Sequence, residues 1–330
     1  MLGEDLIDDP SFSEFNLVVA YNNKVSTNKP AFFQDLPTTH GHEEADTQIP
    51  LHVLDTLNRG TGKEIIASSP DTDVLVLLID LAANGHLGPL TQFRNVGGKG
   101  KNKKSFDIKE RAHLMGQEKA RALVGFHYFS GADWGGKFVG VSKQKWVSYF
   151  LLAKDKALFD AFTALGQGAA LAYVEQLDDK HVTAIQSFVH TVYGGSRWKL
   201  FKTRKQQHEN LPPTRSTLEQ HILRSDYVVR VAKSYSSWSP TPIVPQGRGW
   251  TKEEGHLLPA MCNKPPAPPE VMQYTKCGCK SDKGCGANCS CQKLNFSCTS
   301  LCDCSCESAA SDLHYFDEEG ASDDDDDFHY

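Results

Sequence analysis

Two kinds of apolar run alternate in the first half of the chain. Phe15 to Tyr21 (FNLVVAY) and Glu64 to Ser68 (EIIAS) are short and β-branched, and each is followed by polar punctuation and then a segment of helical character. This rhythm predicts an α/β domain in which strands alternate with helices. Between His40 and Gly60 the apolar positions Ala45, Ile49, Val53 and Leu57 recur every four residues, as in a helix packed on a sheet. Pro50 in mid-helix would remove the bond to the Asp46 carbonyl. With Thr47 as N-cap, Pro50 falls in the first turn, and Glu43, Glu44 and Asp46 lie in the entering loop. Helical spacing also marks Asp107 to Leu123, Lys143 to Lys154, Ala157 to Leu165 and Ala170 to Tyr193. Ser216 and Glu219 make a capping box for a helix reaching about Val229.

Other stretches lack periodicity. Phe93 to Ser105 contains NVGGKGKNKK and reads as a mobile basic loop, in which Lys99, Lys101, Lys103 and Lys104 are candidates for nucleic-acid contact. Ser236 to Gln246 and Pro265 to Pro269 are rich in Pro and Ser and read as linker, partly in polyproline II form. The expected organisation is an α/β domain with a helical extension over 1–232, a linker over 233–270, a cysteine module over 271–306 and an acidic tail over 307–330.

Charge and cysteine placement narrow the class. Ten of the 41 acidic residues lie in 307–330, where there is no Lys or Arg, so residues 1–306 carry 35 − 31 = +4 while the whole chain carries −6. The body is mildly basic, which permits contact with nucleic acid. Asp323 to Asp327 is a run of five aspartates with no apolar partner, expected to be disordered. It reads as a solubilising terminus or as a nucleic-acid mimic that covers the basic loop. The longest apolar runs, such as Val74 to Ile79, are too short to span a bilayer, and the N-terminus has no signal-peptide pattern. An intracellular, nuclear protein with no membrane segment is expected. Nine of ten cysteines crowd between Cys277 and Cys306, which in a reducing compartment points to metal rather than disulfides. Cys262 stands apart as an inert thiol.

The nine are Cys277, Cys279, Cys285, Cys289, Cys291, Cys298, Cys302, Cys304 and Cys306. Tetrahedral zinc takes four ligands, so nine thiolates serve two ions with one left over, or three ions if three sulfurs bridge. The C-x-C-x5-C-x3-C-x-C-x6-C-x3-C-x-C-x-C spacing resembles a tesmin-type CXC domain, which implies three zinc ions held with shared thiolates and a role in binding DNA. Relatives of that type place an aromatic or basic side chain beside the second cysteine group, whereas here Ala287 and Asn288 precede Cys289. Lys276, Lys280, Lys283 and Lys293 remain as candidate phosphate contacts.

Acidic residues cluster in three motifs: HEEADT at 42–47, SPDTDV at 69–74 and SGAD at 130–133. Strand carboxyl ends form the natural crevice of a parallel α/β sheet, and carboxylates gathered there need cations, for which magnesium or manganese suits. Two such ions about 4 Å apart can activate water for phosphodiester cleavage. A lone D-x-D is also an ordinary helix cap, and Asp71 suits that role for a helix starting at Thr72. His40 and His42, with no third ligand nearby, read as polar loop residues. In order and spacing the motifs resemble the flap-endonuclease-like PIN nucleases, through Glu44, Ala45 and Asp46, then Asp71 and Asp73, then Gly131 and Asp133. The resemblance implies a PIN-like parallel sheet flanked by helices, with Glu44, Asp46, Asp71, Asp73 and Asp133 as catalytic metal ligands. The series HEEADT, SPDTDVLVLL, H-x-F-x-G-x-D and P-P-T-x-x-x-L-x-x-H-x-L-R, followed by the CXC module, is similar to animal proteins that travel with mobile elements. Only about forty residues precede the first motif, too few for the upstream strands of that fold. An N-terminally truncated or decayed nuclease is therefore expected, or else a catalytically silent DNA- or chromatin-binding scaffold.

Overall fold

The structure is a computed structural model describing residues 3–60, 64–87, 91–96, 105–132, 135–167, 179–204, 210–264, 277–280, 285–286, 288–293, 298 and 302–304. The chain divides into two compact units, one comprising 1–261 with 327–330 and the other 262–326. In chain order the first unit contains α1 (Gly3–Ile7), β1 (Val18–Tyr21), β2 (Lys24–Thr27), α2 (Ala45–Arg59), β3 (Ile65–Ser69), α3 (Thr72–Ala83), β4 (Thr91–Asn95) and β5 (Ser105–Asp107). Then come α4 (Ile108–Met115), α5 (Gln117–Ser130), α6 (Lys143–Leu152), α7 (Lys156–Ala164), α8 (Asp179–Tyr193), α9 (Arg197–Arg204), α10 (Arg215–Ala232), β6 (Trp250–Glu253) and β7 (His256–Pro259).

The unit is mixed α/β with small sheets, and the expected continuous parallel sheet is absent among the described residues. β3 and β4 pair in parallel from Ile65↔Thr91 to Ser69↔Asn95, and β5 adds antiparallel to β4. Glu64 to Ser68 thus feeds a strand and then a helix as its pattern predicts. Phe15 to Tyr21 does not. Its strand β1 closes an antiparallel hairpin with β2 through Asn22 and Asn23, both at positive φ, where asparagine is among the better tolerated residues.

After β3 comes α3, whose residues Val74 to Leu81 are all buried. A helix apolar on every side must be enclosed, and α2, α4 and α5 pack around it. The core continues as an aromatic cluster: Phe126 of α5 stacks on Phe150 of α6 with centroids 4.0 Å apart, and Phe129, Trp146 and Phe162 are fully buried beside them. α5 approaches α7 so closely that a Cβ on Gly125 would lie 2.0 Å from the Phe162 carbonyl oxygen, so only glycine fits there.

Several boundaries differ from the sequence expectation. α2 begins at Ala45 with Glu44 as N-cap, so Asp46 lies in its first turn, Thr47 is buried within the helix and Pro50 is interior. The predicted helix from Asp107 to Leu123 is two, separated at Gly116, whose φ of 86° breaks the helical path. Thr214, not Ser216, caps α10 by accepting from the Thr217 amide, and Ser216 is buried. Phe93 to Asn95 belongs to β4 rather than to the basic loop, while Lys99, Lys101, Lys103 and Lys104 lie outside the described residues.

The largest correction concerns the linker. Residues 233–261 pack on the first unit. Asp80 of α3 is buried and receives the Tyr235 hydroxyl at 2.8 Å and Lys233 Nζ at 3.2 Å. A buried carboxylate without such partners would be strongly unfavourable, so this turn completes the core rather than leaving it. Further on, Arg224 of α10 donates to the carbonyls of Gly249 and Ala260, fastening the β6–β7 hairpin.

Candidate metal centres

The first centre is built where two helices start. Ser69, the last residue of β3, accepts the Asp71 amide at 3.0 Å, and Asp71 caps α3 by accepting the Asp73 amide at 2.8 Å. The cap role open to Asp71 is therefore real, and it places Asp73 in the first turn of α3. The first turn of α2 supplies Asp46, and one carboxylate oxygen from each of Asp46, Asp71 and Asp73 lies within 4.8 Å of the others. Orphan amides at both helix starts favour negative charge. Glu44 lines the same cavity but is not one of the three, and Asp133 lies outside the described residues.

Asp73 has protein partners of its own. His127 Nε2 on α5 lies 2.7 Å from Asp73 Oδ1, and the Tyr128 hydroxyl also bonds the carboxylate. Lys143 is near, its ammonium donating to the carbonyls of His127 and Gly131. Burial works against ionising Asp73, but the hydrogen bonds from His127 and Tyr128 and the Lys143 charge outweigh it and hold the carboxyl below its usual range. Burial, reinforced by Lys143, pushes the His127 imidazole down, so it is neutral at pH 7 and donates Nε2–H to the carboxylate. Burial and the nearby aspartates push Tyr128 up, leaving it a donor. The three carboxylates gather negative charge that the Lys143 ammonium offsets only in part. The trio can hold a metal ion.

Asp46 and Asp73, with Glu43 and Glu44, border a cavity of about 320 Å³. Asp46, Asp73 and Tyr128 form its polar end, while Val228, Val231 and Ala232 of α10 and the segment Pro240 to Ile243 form an apolar wall. His42 fastens that segment. Its Nδ1 pairs with Thr47 Oγ1 at 2.9 Å and its Nε2 with the Ser237 carbonyl at 2.7 Å. Next to it, Gly41 donates to the Trp238 carbonyl at 2.8 Å. With both ring nitrogens engaged, His42 is a structural residue, as its sequence context suggests.

The second centre is the cysteine unit. Cys277, Cys285, Cys289 and Cys298 can surround one ion, and Cys277, Cys291, Cys298 and Cys302 another, so the two groups share Cys277 and Cys298. Sulfur separations run from 3.5 Å for Cys277 to Cys304, through 3.6 Å for Cys291 to Cys302, up to 3.9 Å for Cys289 to Cys298. Four sulfurs at about 2.3 Å from a tetrahedral zinc are about 3.8 Å apart, whereas disulfide sulfurs are about 2.05 Å apart. The spacing suits thiolates around a shared metal ion and is too long for disulfide bonds. A short helix, Ser290–Lys293, carries Cys291, and the Asp303 amide bonds the Cys277 carbonyl at 3.0 Å. Cys279 and Cys304 border the cluster. Cys306, Lys276 and Lys283 lie outside the described residues, and Lys280 and Lys293 are exposed.

Thus the structure unites Asp46, Asp71 and Asp73 from two motifs and eight of the nine cysteines around one cluster. His127 opens the H-x-F-x-G-x-D stretch, so its place in the site had a sequence signal. Lys143 had none, since it arrives at Asp73 from the start of another helix. No protein-family model, curated protein or solved structure matches this chain. Among the described residues, no helix is long and apolar enough to cross a membrane.

Proposed function

We propose that this chain is a nuclear, nucleic-acid-associated protein with a PIN-like domain that binds magnesium or manganese and a CXC module that binds three zinc ions. The observation that carries the first half is the convergence of Asp46, Asp71 and Asp73 from separate motifs beside the carboxyl end of β3. A divalent ion held there would polarise a phosphate oxygen and lower the pKa of its water, the chemistry of phosphodiester hydrolysis. The cysteine half rests on two four-sulfur groups that share two sulfurs. Extending that sharing to a third ion accommodates all nine cysteines.

A second reading, a catalytically silent DNA-binding scaffold, is favoured by the company Asp73 keeps. Lys143 already offsets part of the charge that a second cation would meet, and His127 and Tyr128 occupy the Asp73 carboxylate as hydrogen-bond donors. One ion can bind phosphate, but a two-metal mechanism would lack its partner. The intact protein is therefore expected to bind about one manganese outside the cysteine module and to cut nucleic acid feebly. Manganese titration followed by electron paramagnetic resonance, with cleavage assays on defined DNA and RNA, tests both halves. The double variant Asp71→Asn with Asp73→Asn should lose the manganese signal and any cleavage. Cleavage at ordinary enzyme rates that survives in that variant would overturn the assignment.

A further inference from the structure

Among residues that belong to neither centre, those of α9 carry an unusual surface. Its sequence is RWKLFKTR, and no acidic residue occurs between Asp179 and Glu209. Leu200 is buried and anchors the helix. Trp198 is 70% exposed and Phe201 45%, large apolar rings of the kind a chain normally covers. They stand one turn apart with centroids 6.5 Å apart, above a groove of about 370 Å³ that Arg197 and Leu211 also line. Arg197 is fixed by donating to the Pro212 carbonyl at 2.9 Å.

We infer that this face is a binding site for single-stranded nucleic acid, with bases stacked on Trp198 and Phe201 and phosphates met by Lys199 and Lys202. Trp198 and Phe201 form one row at i, i+3, and Lys199 and Lys202 form the adjacent row with the same spacing. Each row advances about 4.5 Å along the helix, from 1.5 Å per residue. A single strand has a stacked step of about 3.4 Å and can stretch to follow it. In a duplex the base faces are occupied by neighbouring bases and unavailable for stacking on side chains. Aromatic rings interleaved with cations are what sequence-tolerant recognition of a strand requires, because every base has a π-face and every step has a phosphate. An anionic membrane surface also attracts such a helix, but insertion needs a broad apolar face. Here the one aliphatic residue of α9, Leu200, already faces the core.

The test uses the full chain with zinc present and a short fluorescent oligodeoxythymidylate, read by anisotropy. Trp198→Ala with Phe201→Ala should weaken binding at least tenfold, as loss of base stacking does. Trp198→Phe with Phe201→Tyr, which keeps two rings, should restore most of it. Lys199→Gln with Lys202→Gln should reduce the slope of log affinity against log salt by about 2. All six substitutions are at exposed positions, and an unchanged thermal melt excludes misfolding as the cause. Unchanged oligonucleotide affinity in the ring-deleted variant would overturn the site. So would a variant that keeps oligonucleotide binding and instead loses binding to phosphatidylserine vesicles. Because neither centre is altered, loss of manganese or zinc binding would not mimic the expected result.

Discussion

The two centres gather like charges by opposite means. Around Asp46, Asp71 and Asp73 the protein has a finished hydrophobic core, and its own His127, Tyr128 and Lys143 offset part of the repulsion. In the cysteine unit the buried cluster consists of Cys277, Cys289 and Cys291 flanked by other cysteines, with no aliphatic or aromatic core among the described residues. The first site can exist without its ion, because packing holds it. The second has no such core among the described residues, so a bound ion would have to supply its folding free energy. A cation would be a ligand in one unit and the core in the other.

The largest expected effect would break this comparison if it failed. All five tryptophans precede Met261, so tryptophan fluorescence reports the first unit alone. A strong zinc chelator should abolish structure in the cysteine unit, removing on the order of 10 kcal/mol of folding free energy, while leaving the fluorescence melt of the first unit unchanged. Simultaneous loss of both would show that the first unit also depends on metal.

Next in size, Gly125→Ala should destabilise the first unit by about 3 kcal/mol or more, since the added carbon meets a backbone carbonyl that cannot rotate away. Denaturant unfolding followed by fluorescence measures it. Zinc content should stay the same, and a drop would mean the units are coupled.

Acid distinguishes the units by cause. Burial pushes His221 down to about 4, with its Nε2 donating to the Phe129 carbonyl at 2.7 Å. Between pH 6.5 and 4 the unfolded chain binds a proton that the folded chain refuses, so stability is complete above 6.5 and falls as pH drops through that window. The loss is about 3 kcal/mol, from 1.36 kcal/mol per pKa unit. His127, also pushed down by burial, acts in the same direction. Excess zinc should oppose acid unfolding of the cysteine unit, whose thiolates compete with protons, but not this loss. Rescue of the fluorescence melt by zinc would contradict the assignment.

The smallest effect is the most discriminating. Asp71→Ala removes both a cap and a ligand and should cost about 1 kcal/mol. Asp71→Asn keeps a capping oxygen, so stability should change little while manganese affinity falls. If Asn and Ala variants lose stability equally, the Asp71 carboxylate is held by something other than the Asp73 amide.

Local chemistry written in neighbouring residues was legible in the sequence. The cysteine spacing pointed to one sulfur cluster able to hold metal, because each cysteine lies within a few residues of the next. EIIAS followed by a cap and an unbroken apolar run specified β3, Asp71 and α3, because strand, cap and enclosed helix all follow from short-range pattern. Tertiary structure alone decided the rest. Pro- and Ser-rich composition after Ala232 suggested a linker, but buried Asp80, more than 150 positions earlier in the chain, required Tyr235 and Lys233 as partners. The FNLVVAY run could not reveal whether its edge would meet β3 or turn back on β2, since both choices satisfy the same β-branched residues. Five acids were candidates for one site, and among the described residues the joint placement of two helix starts brings Asp46, Asp71 and Asp73 together. Lys143 joined them for a long-range reason: a buried carboxylate is stabilised by whichever cation the packing of distant helices brings near, and sequence proximity has no part in that choice.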